Sequence, residues 1–302
     1  MDQKCYFHFA AGERNPDQKT YLRDLIFNGM IDSKLINTAI EASLKAGMKI
    51  LEVYKSDDFD VDFKSDDSPL TKADKLAHGS IMQYLNGTEY PILSEEGVMP
   101  EYELRKTWPV YWCVDPLDGT KEFIKKNGEF TVNIALIEGQ VPVLGIIYVP
   151  VLELLYLGVK DVGAFKLNHV KCDRVDLDFE ELKQAGEQLP INYYLDKLVI
   201  VGSRSHMTQE TTELIDKLVD KYGDSEIISK GSSLKLCMVA EGLANIYPRF
   251  APTMEWDTAA GHAIALAAGL EVTRADGKSP LLYNKQNLLN PWFIVREKGI
   301  SI

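Results

Sequence analysis

The chain has 302 residues, and 33 Lys and Arg against 45 Asp and Glu leave a formal net charge of −12. That balance argues against a nonspecific nucleic-acid binder, which relies on a positive surface, but it allows a small anionic ligand where bound cations reverse the local field. No run approaches the roughly 20 apolar residues that span a bilayer, and residues 1–11 carry neither a basic region nor a long apolar core, so no secretory signal is expected.

Cys5, Cys113, Cys172 and Cys237 are scattered, with no C-x-x-C pair, which suits a reduced, cytoplasmic compartment, and Cys113 and Cys237 read as small core residues. Residues 1–30 form an N-terminal extension without an assignable pattern. From Asp32-Ser33 a helix is predicted, with Leu35, Ala39, Ala42, Ala46, Ile50 and Val53 near one face. Residues 57–67 are acidic and irregular. Ser68-Pro69-Leu70-Thr71 then turns into a second helix, 72–85, with Asp74 in its first turn. A short strand at 91–93 ends in Ser94-Glu95-Glu96-Gly97, and 110–114 reads as a buried strand of β-favouring residues.

After a predicted loop at 121–129, four strand-like runs follow at 130–137, 143–149, 154–159 and 164–167, an antiparallel meander. Residues 168–197 read as a linker with an irregular helix. The remainder alternates: strand 198–201, helix 208–222, strand 226–229, helix 232–240, strand 244–247, helix 258–268, and closing strands 270–273 and 292–295. Such alternation predicts a layered α/β lobe. The expected division is therefore 1–30 extension, 31–170 α+β lobe and 171–302 α/β lobe.

Asp115-Pro116-Leu117-Asp118-Gly119-Thr120 follows the buried strand at 110–114. Two carboxylates emerge at a strand end with Pro116 stiffening the link, Gly119 lets a ligand approach the backbone, and Thr120 adds a hydroxyl. Hard divalent cations take such oxygen donors; a plain solvated turn is the other reading. Glu95 and Asp257 alone read as a loop acid and a helix N-cap. Together Glu95, Asp115, Asp118 and Asp257 supply what a phosphatase site with two or three cations requires, and Mg²⁺ fits because no His/Cys ligand cluster accompanies them. The calcium-loop, P-loop and G-x-S-x-G patterns are absent.

Four segments carry a resemblance: Ser68-Pro69-Leu70-Thr71-Lys72-Ala73-Asp74, Leu93-Ser94-Glu95-Glu96, Asp115 through Phe123, and Trp256-Asp257-Thr258-Ala259-Ala260-Gly261. In order and spacing the chain, over about residues 31–298, resembles the magnesium-dependent, lithium-inhibited phosphatases of the inositol monophosphatase superfamily. Lys121-Glu122-Phe123 favours the bacterial 3'(2'),5'-bisphosphate nucleotidase branch, since inositol phosphatases tend to carry Thr-Asn-Phe there. The resemblance implies an α-β-α-β-α layered sandwich, with the metals between an α+β lobe and an α/β substrate lobe. Glu95, Asp115 and the Leu117 carbonyl would hold one Mg²⁺, and Asp115, Asp118 and Asp257 a second. Thr120 would relay a proton from water with Asp74 orienting it; by itself Asp74 reads as a helix-surface acid. Glu95, Leu117, Asp118, Gly119, Thr120 and Asp257 would also surround the phosphate.

On the substrate side, Ser205 and His206 lie on a loop after a strand, Gly231, Ser233 and Lys235 open a helix, and Arg249 ends another strand. Such a set would suit a nucleotide with two phosphates, while His206 and Arg249 also fit ordinary surface or interface positions. The implied reaction removes the 3'-phosphate of adenosine 3',5'-bisphosphate to give AMP and phosphate in sulfur metabolism. An inositol or sugar phosphate monoesterase shares every metal ligand, and a phosphate-binding protein without catalysis is the reading from another class. A homodimer and association with the cytoplasmic face of the membrane stay open.

Overall fold

The computed structural model describes residues 31–56, 59–63, 69–174, 177–192, 196–202 and 208–302. The expectations for residues 1–30, Ser205 and His206 lie outside these. Helix α1 (Ser33–Ser56) buries the predicted stripe of Ala39, Ala42, Ala46, Ile50 and Val53. A short antiparallel pair, β1 (Asp62–Phe63) with β2 (Pro69–Leu70), leads into α2 (Lys72–Leu85), which has the predicted bounds. Both helices lie over one face of a sheet ordered β3-β4-β5-β6-β7-β8-β9. Its strands are β3 (Ile92–Ser94), β4 (Val110–Asp118), β5 (Thr131–Glu138), β6 (Val141–Val149), β7 (Leu154–Val159), β8 (Gly163–Leu167) and β9 (Glu187–Gln188), with α3 (Tyr102–Arg105) between the first two.

The expected meander is present, every neighbour from β4 onward being antiparallel, whereas β3 runs parallel to β4. β4 is apolar without alternation because both its faces are covered: Trp112 and Val114 pack toward the outer helices, Tyr111 and Cys113 toward the second half. The strand was expected to stop at Val114 but runs on to Asp118, with a break in its pairing to β5 between Asp115 and Asp118. Pro116, which has no N–H to donate, falls in that irregularity.

The predicted loop at 121–129 is also corrected, since α4 (Thr120–Ile124) occupies its start. Phe123 anchors this helix, its ring centroid 5.2 Å from Phe130 and 5.3 Å from Tyr54. Two adjacent apolar residues, Phe123 and Ile124, among Lys and Glu carry no helical period. The irregular helix expected in 168–197 is α5 (Phe179–Ala185), and β9 beyond it hydrogen-bonds to β8. The first sheet thus takes its last strand from beyond residue 171.

The second half contains β10 (Leu198–Gly202), α6 (Gln209–Tyr222), β11 (Ser225–Ser229), α7 (Leu234–Glu241), β12 (Ile246–Arg249), α8 (Glu255–Ala267), β13 (Glu271–Arg274) and β14 (Phe293–Arg296). Its sheet is ordered β11-β10-β12-β14-β13, parallel around β10 and antiparallel around β14. Helix α8 is buried nearly all round, as expected of a helix enclosed between two sheets. It lies so close to β6 and β7 that a Cβ on Gly145 would come within 2.2 Å of the Ala260 carbonyl oxygen, and one on Gly158 within 2.4 Å of Ile264 Cα. With α7 beside α8 and the α6 side chains Ile215 and Leu218 packed with Leu198, Ile200 and Ile294, the layers are α-β-α-β-α.

Candidate active site

Parallel pairing of β3 and β4 sets Ser94 beside Val114, so the next residues are Glu95, just past the end of β3, and Asp115, still within β4. Glu95 N–H donates to the Val114 carbonyl at 3.1 Å, which fixes that register at the site. Asp257 arrives from the other half on the first turn of α8. The expected N-cap role is corrected: the helix begins at Glu255, and Asp257, in its first turn, accepts a hydrogen bond from Met254 N–H at 2.9 Å. Carboxylate oxygens of Glu95, Asp115 and Asp257 all lie within 4.8 Å of one another.

Burial, then the neighbouring acids Glu95, Asp118 and Asp257, hold the Asp115 carboxyl well above the usual carboxylate range. Burial, then Asp118 and Glu95, raise that of Asp257 in the same way. An all-oxygen donor set in mutual repulsion fits a hard divalent cation, whose charge would relieve it. Asp118 completes the acids but turns its Oδ2 toward the second half, where Ser232 and Ser233 Oγ donate to it at 2.6 and 2.8 Å. The backbone of Leu117 is drawn in by Asp115 Oδ1, which accepts the Leu117 N–H at 3.0 Å.

Beside the acids stand Asp74 and Thr120. Asp74 is 2% exposed and forms a capping box with Thr71: its Oδ2 accepts from Thr71 N–H at 2.7 Å and from Thr71 Oγ at 2.6 Å. Its Oδ1 accepts from Thr120 Oγ at 3.2 Å, so the expected pair is brought together across α2 and α4. Gly119 precedes α4 at φ 91°, the left-handed region that favours glycine.

A cavity of about 340 Å³ opens from Asp118, Gly119 and Asp257 and continues to Lys230, Lys235 and Arg249. Lys235 is nearly buried, and its Nζ donates to the carbonyls of Ser232 at 2.6 Å and Lys230 at 3.2 Å. Burial lowers its pKa to about 8, against the opposing pull of Asp118. Arg249 donates through Nη2 to the Pro252 carbonyl at 3.0 Å, and its enclosed Nε meets no acceptor among the described residues. Ser233 is 2% exposed: its single hydroxyl proton is shared between Asp118 Oδ2 and the Asp257 carbonyl, each 2.8 Å away, and its Oγ accepts from Asn133 Nδ2 at 2.8 Å.

Gly231 is required by crowding, because a Cβ there would lie 2.9 Å from the Glu129 carbonyl oxygen. Its N–H donates to Glu129 Oε2 at 2.8 Å. Glu129, Thr131 and Asn133 were not singled out from the sequence, yet all three grip this turn: Thr131 Oγ bonds Ser232 Oγ at 2.7 Å. Part of the signal was present in Thr131 and Asn133, polar residues two apart at the start of the apolar strand β5, which puts both on one face.

A model of the inositol monophosphatase family matches residues 32–298. The chain belongs to the inositol monophosphatase family. Among family members it is 43% identical over 264 residues to the 3'(2'),5'-bisphosphate nucleotidase CysQ of Salmonella typhimurium, covering 86% of this chain and 99% of that one. Identity to the CysQ of Escherichia coli K12 is likewise 43%, over 265 residues, 86% of this chain and 99% of the relative. Of solved structures, CysQ from Bacteroides thetaiotaomicron, a bacterial member of this family, is 53% identical and superposes with a TM-score of 0.80 over 87% of this chain and 97% of that one. The suhB protein of Bartonella henselae, at 25% identity, gives a TM-score of 0.68 over 87% of this chain and 94% of its own.

Proposed function

We propose that this protein is a Mg²⁺-dependent 3'(2'),5'-bisphosphate nucleotidase that hydrolyses the 3'-phosphate of adenosine 3',5'-bisphosphate to AMP and phosphate. The observation that carries the reading is one cavity lined by Asp118 and Asp257 of the acids and by Lys230, Lys235 and Arg249, which offers a place for each of two anionic groups. Relatives named as nucleotidases over almost their whole length support the choice of substrate class.

Glu95, Asp115 and the Leu117 carbonyl would hold one Mg²⁺, and Asp115, Asp118 and Asp257 a second. Bound there, Mg²⁺ supplies positive charge that acidifies water and offsets charge developing on the phosphoryl oxygens. Thr120 is a poor base unaided, but its hydroxyl lies 3.2 Å from Asp74 Oδ1. As the water proton reaches Thr120 Oγ, the Thr120 proton passes to Asp74, whose second oxygen the Thr71 N–H and hydroxyl hold in place. The Gly119 turn lets the phosphate approach backbone N–H groups, and Lys235 and Arg249 orient the remote phosphate.

The test compares kcat/KM for adenosine 3',5'-bisphosphate and for inositol 1-phosphate at saturating Mg²⁺. A clear preference for the nucleotide is expected, and a preference for the inositol ester overturns the substrate assignment. Among the described residues no helix is long and apolar enough to cross a membrane.

A further inference from the structure

Asp257 is the acid that the second half contributes to the cluster, so its distance from Glu95 and Asp115 depends on where the first turn of α8 sits. Two residues before it, Glu255 is completely buried, an expensive place for a charge unless it is fully paired. Its carboxylate accepts from Asn284 N–H at 2.7 Å, Lys285 N–H at 3.0 Å and Lys285 Nζ at 2.5 Å. A single short loop therefore meets the whole charge at the foot of α8.

That loop is itself tied to the first half of the molecule. Asn284 sits at φ 55°, a left-handed conformation that asparagine tolerates better than most residues. Its side chain closes a reciprocal pair with Arg105 at the end of α3: Arg105 Nη1 donates to Asn284 Oδ1 at 2.9 Å, and Asn284 Nδ2 donates to the Arg105 carbonyl at 2.8 Å. Arg105, 2% exposed, also donates to the carbonyls of Lys285 at 3.1 Å and Gln286 at 3.3 Å. An unbroken chain of polar contacts thus runs from α3 through residues 284–286 to the turn that bears Asp257.

We propose that Arg105, Asn284 and Lys285 are positioning residues that hold Glu255, and through it Asp257, at the spacing from Glu95 and Asp115 that a divalent cation needs. The inference rests on reading those acids as cation ligands. Small-residue packing of α8 on β6 and β7 sets how near the helix lies to the sheet. The bracket at its foot sets its height along its own axis.

The experiment titrates Mg²⁺ into the full chain by calorimetry without substrate, and follows thermal unfolding and the steady-state kinetics of each variant. Asn284→Gly keeps the left-handed backbone but deletes both side-chain bonds to Arg105, and Arg105→Lys keeps the charge but loses the fork. Each is expected to raise the Mg²⁺ Kd about tenfold, the low end of what loss of a ligand's supporting contacts costs. KM for adenosine 3',5'-bisphosphate at saturating Mg²⁺ should stay unchanged. Arg296→Gln is the control, since it breaks partly buried contacts to Glu271 and Gly277 away from the site and should lower Tm without moving the Mg²⁺ Kd. A folded Asn284→Gly chain with wild-type Mg²⁺ affinity, or a control that weakens Mg²⁺ equally, would overturn the bracket. Wild-type protein that binds no Mg²⁺ would overturn the cation reading and the bracket with it.

Discussion

Glu95, just past β3, and Asp115, within β4, are brought together by two hydrogen-bonded parallel strands, whereas Ser233 ends a turn and Lys235 lies in the first turn of α7 behind it, reaching the site from the other half of the molecule. These two acids need only the β3–β4 register to meet. The turn is held by side chains it does not neighbour in sequence: Glu129 takes Gly231 N–H, Thr131 takes Ser232, and Asn133 and Asp118 share Ser233. Ser232 even adopts φ 52°, a conformation costly for a serine and kept because its hydroxyl is held on both sides. A chemical centre built on adjacent strands thus faces a recognition wall that exists only once the two sheets have closed around α8.

The largest effect should come from the acids. Asp118→Asn and Asp257→Asn are each expected to lower kcat by about a thousandfold or more while the fold survives, because charge stabilisation at the phosphoryl group is lost. Near-wild-type turnover at saturating Mg²⁺ would remove that residue from the ligand set. Next comes the proton path: Thr120→Ala should reduce kcat by roughly a hundred- to a ten-thousandfold, with Thr120→Ser recovering much of it. An equal loss in both variants would place the threonine's role in its methyl packing.

The turn should respond differently, and this sharpens the contrast. Ser233→Ala leaves the buried Asn133 amide without that acceptor and Asp118 with one hydroxyl fewer, which should cost about 1–3 kcal/mol of stability. A thermal midpoint that does not move would argue against the clasp between the two halves. Lys235→Ala is expected mainly to raise KM, by about tenfold, the loss of one charge-assisted contact.

The pH dependence follows from the same lysine. Its pKa of about 8 leaves it charged below that pH and neutral above. The kcat/KM for a polyanionic substrate should therefore fall as pH rises through about 8, and Lys235→Ala should lack that limb of the profile. A limb that persists in the variant belongs to another group. The smallest test is Gly231→Ala, whose new methyl would press on the Glu129 backbone and displace the turn; a rise in KM with kcat little changed is expected.

Much of this could be read before any coordinates. The stripe of α1, the bounds of α2 and the meander follow from apolar period and turn residues, which are local properties. Four ordered motifs pointed to Asp74, Glu95, Asp115, Asp118, Thr120 and Asp257, and the fold brings them to one place. Less legible was α4, since one buried Phe123 among charged residues carries no period. Met254 N–H engages Asp257 because the helix starts at Glu255, a shift that capping preference alone did not reveal. The grip of Glu129, Thr131 and Asn133 was hidden because a polar residue in a strand looks the same whether it faces water or a partner.

By itself the sequence determined the donors, their order and the elements that carry them, since side-chain chemistry and hydrophobic period are written residue by residue. Only the tertiary structure decided which hydroxyl meets which carboxylate, that Ser233 binds Asp118, and that Arg105 and Glu255 are joined through Asn284. Those pairings bridge segments far apart in the chain. Their geometry follows from how two sheets close on one buried helix, a property of packing that no local pattern encodes.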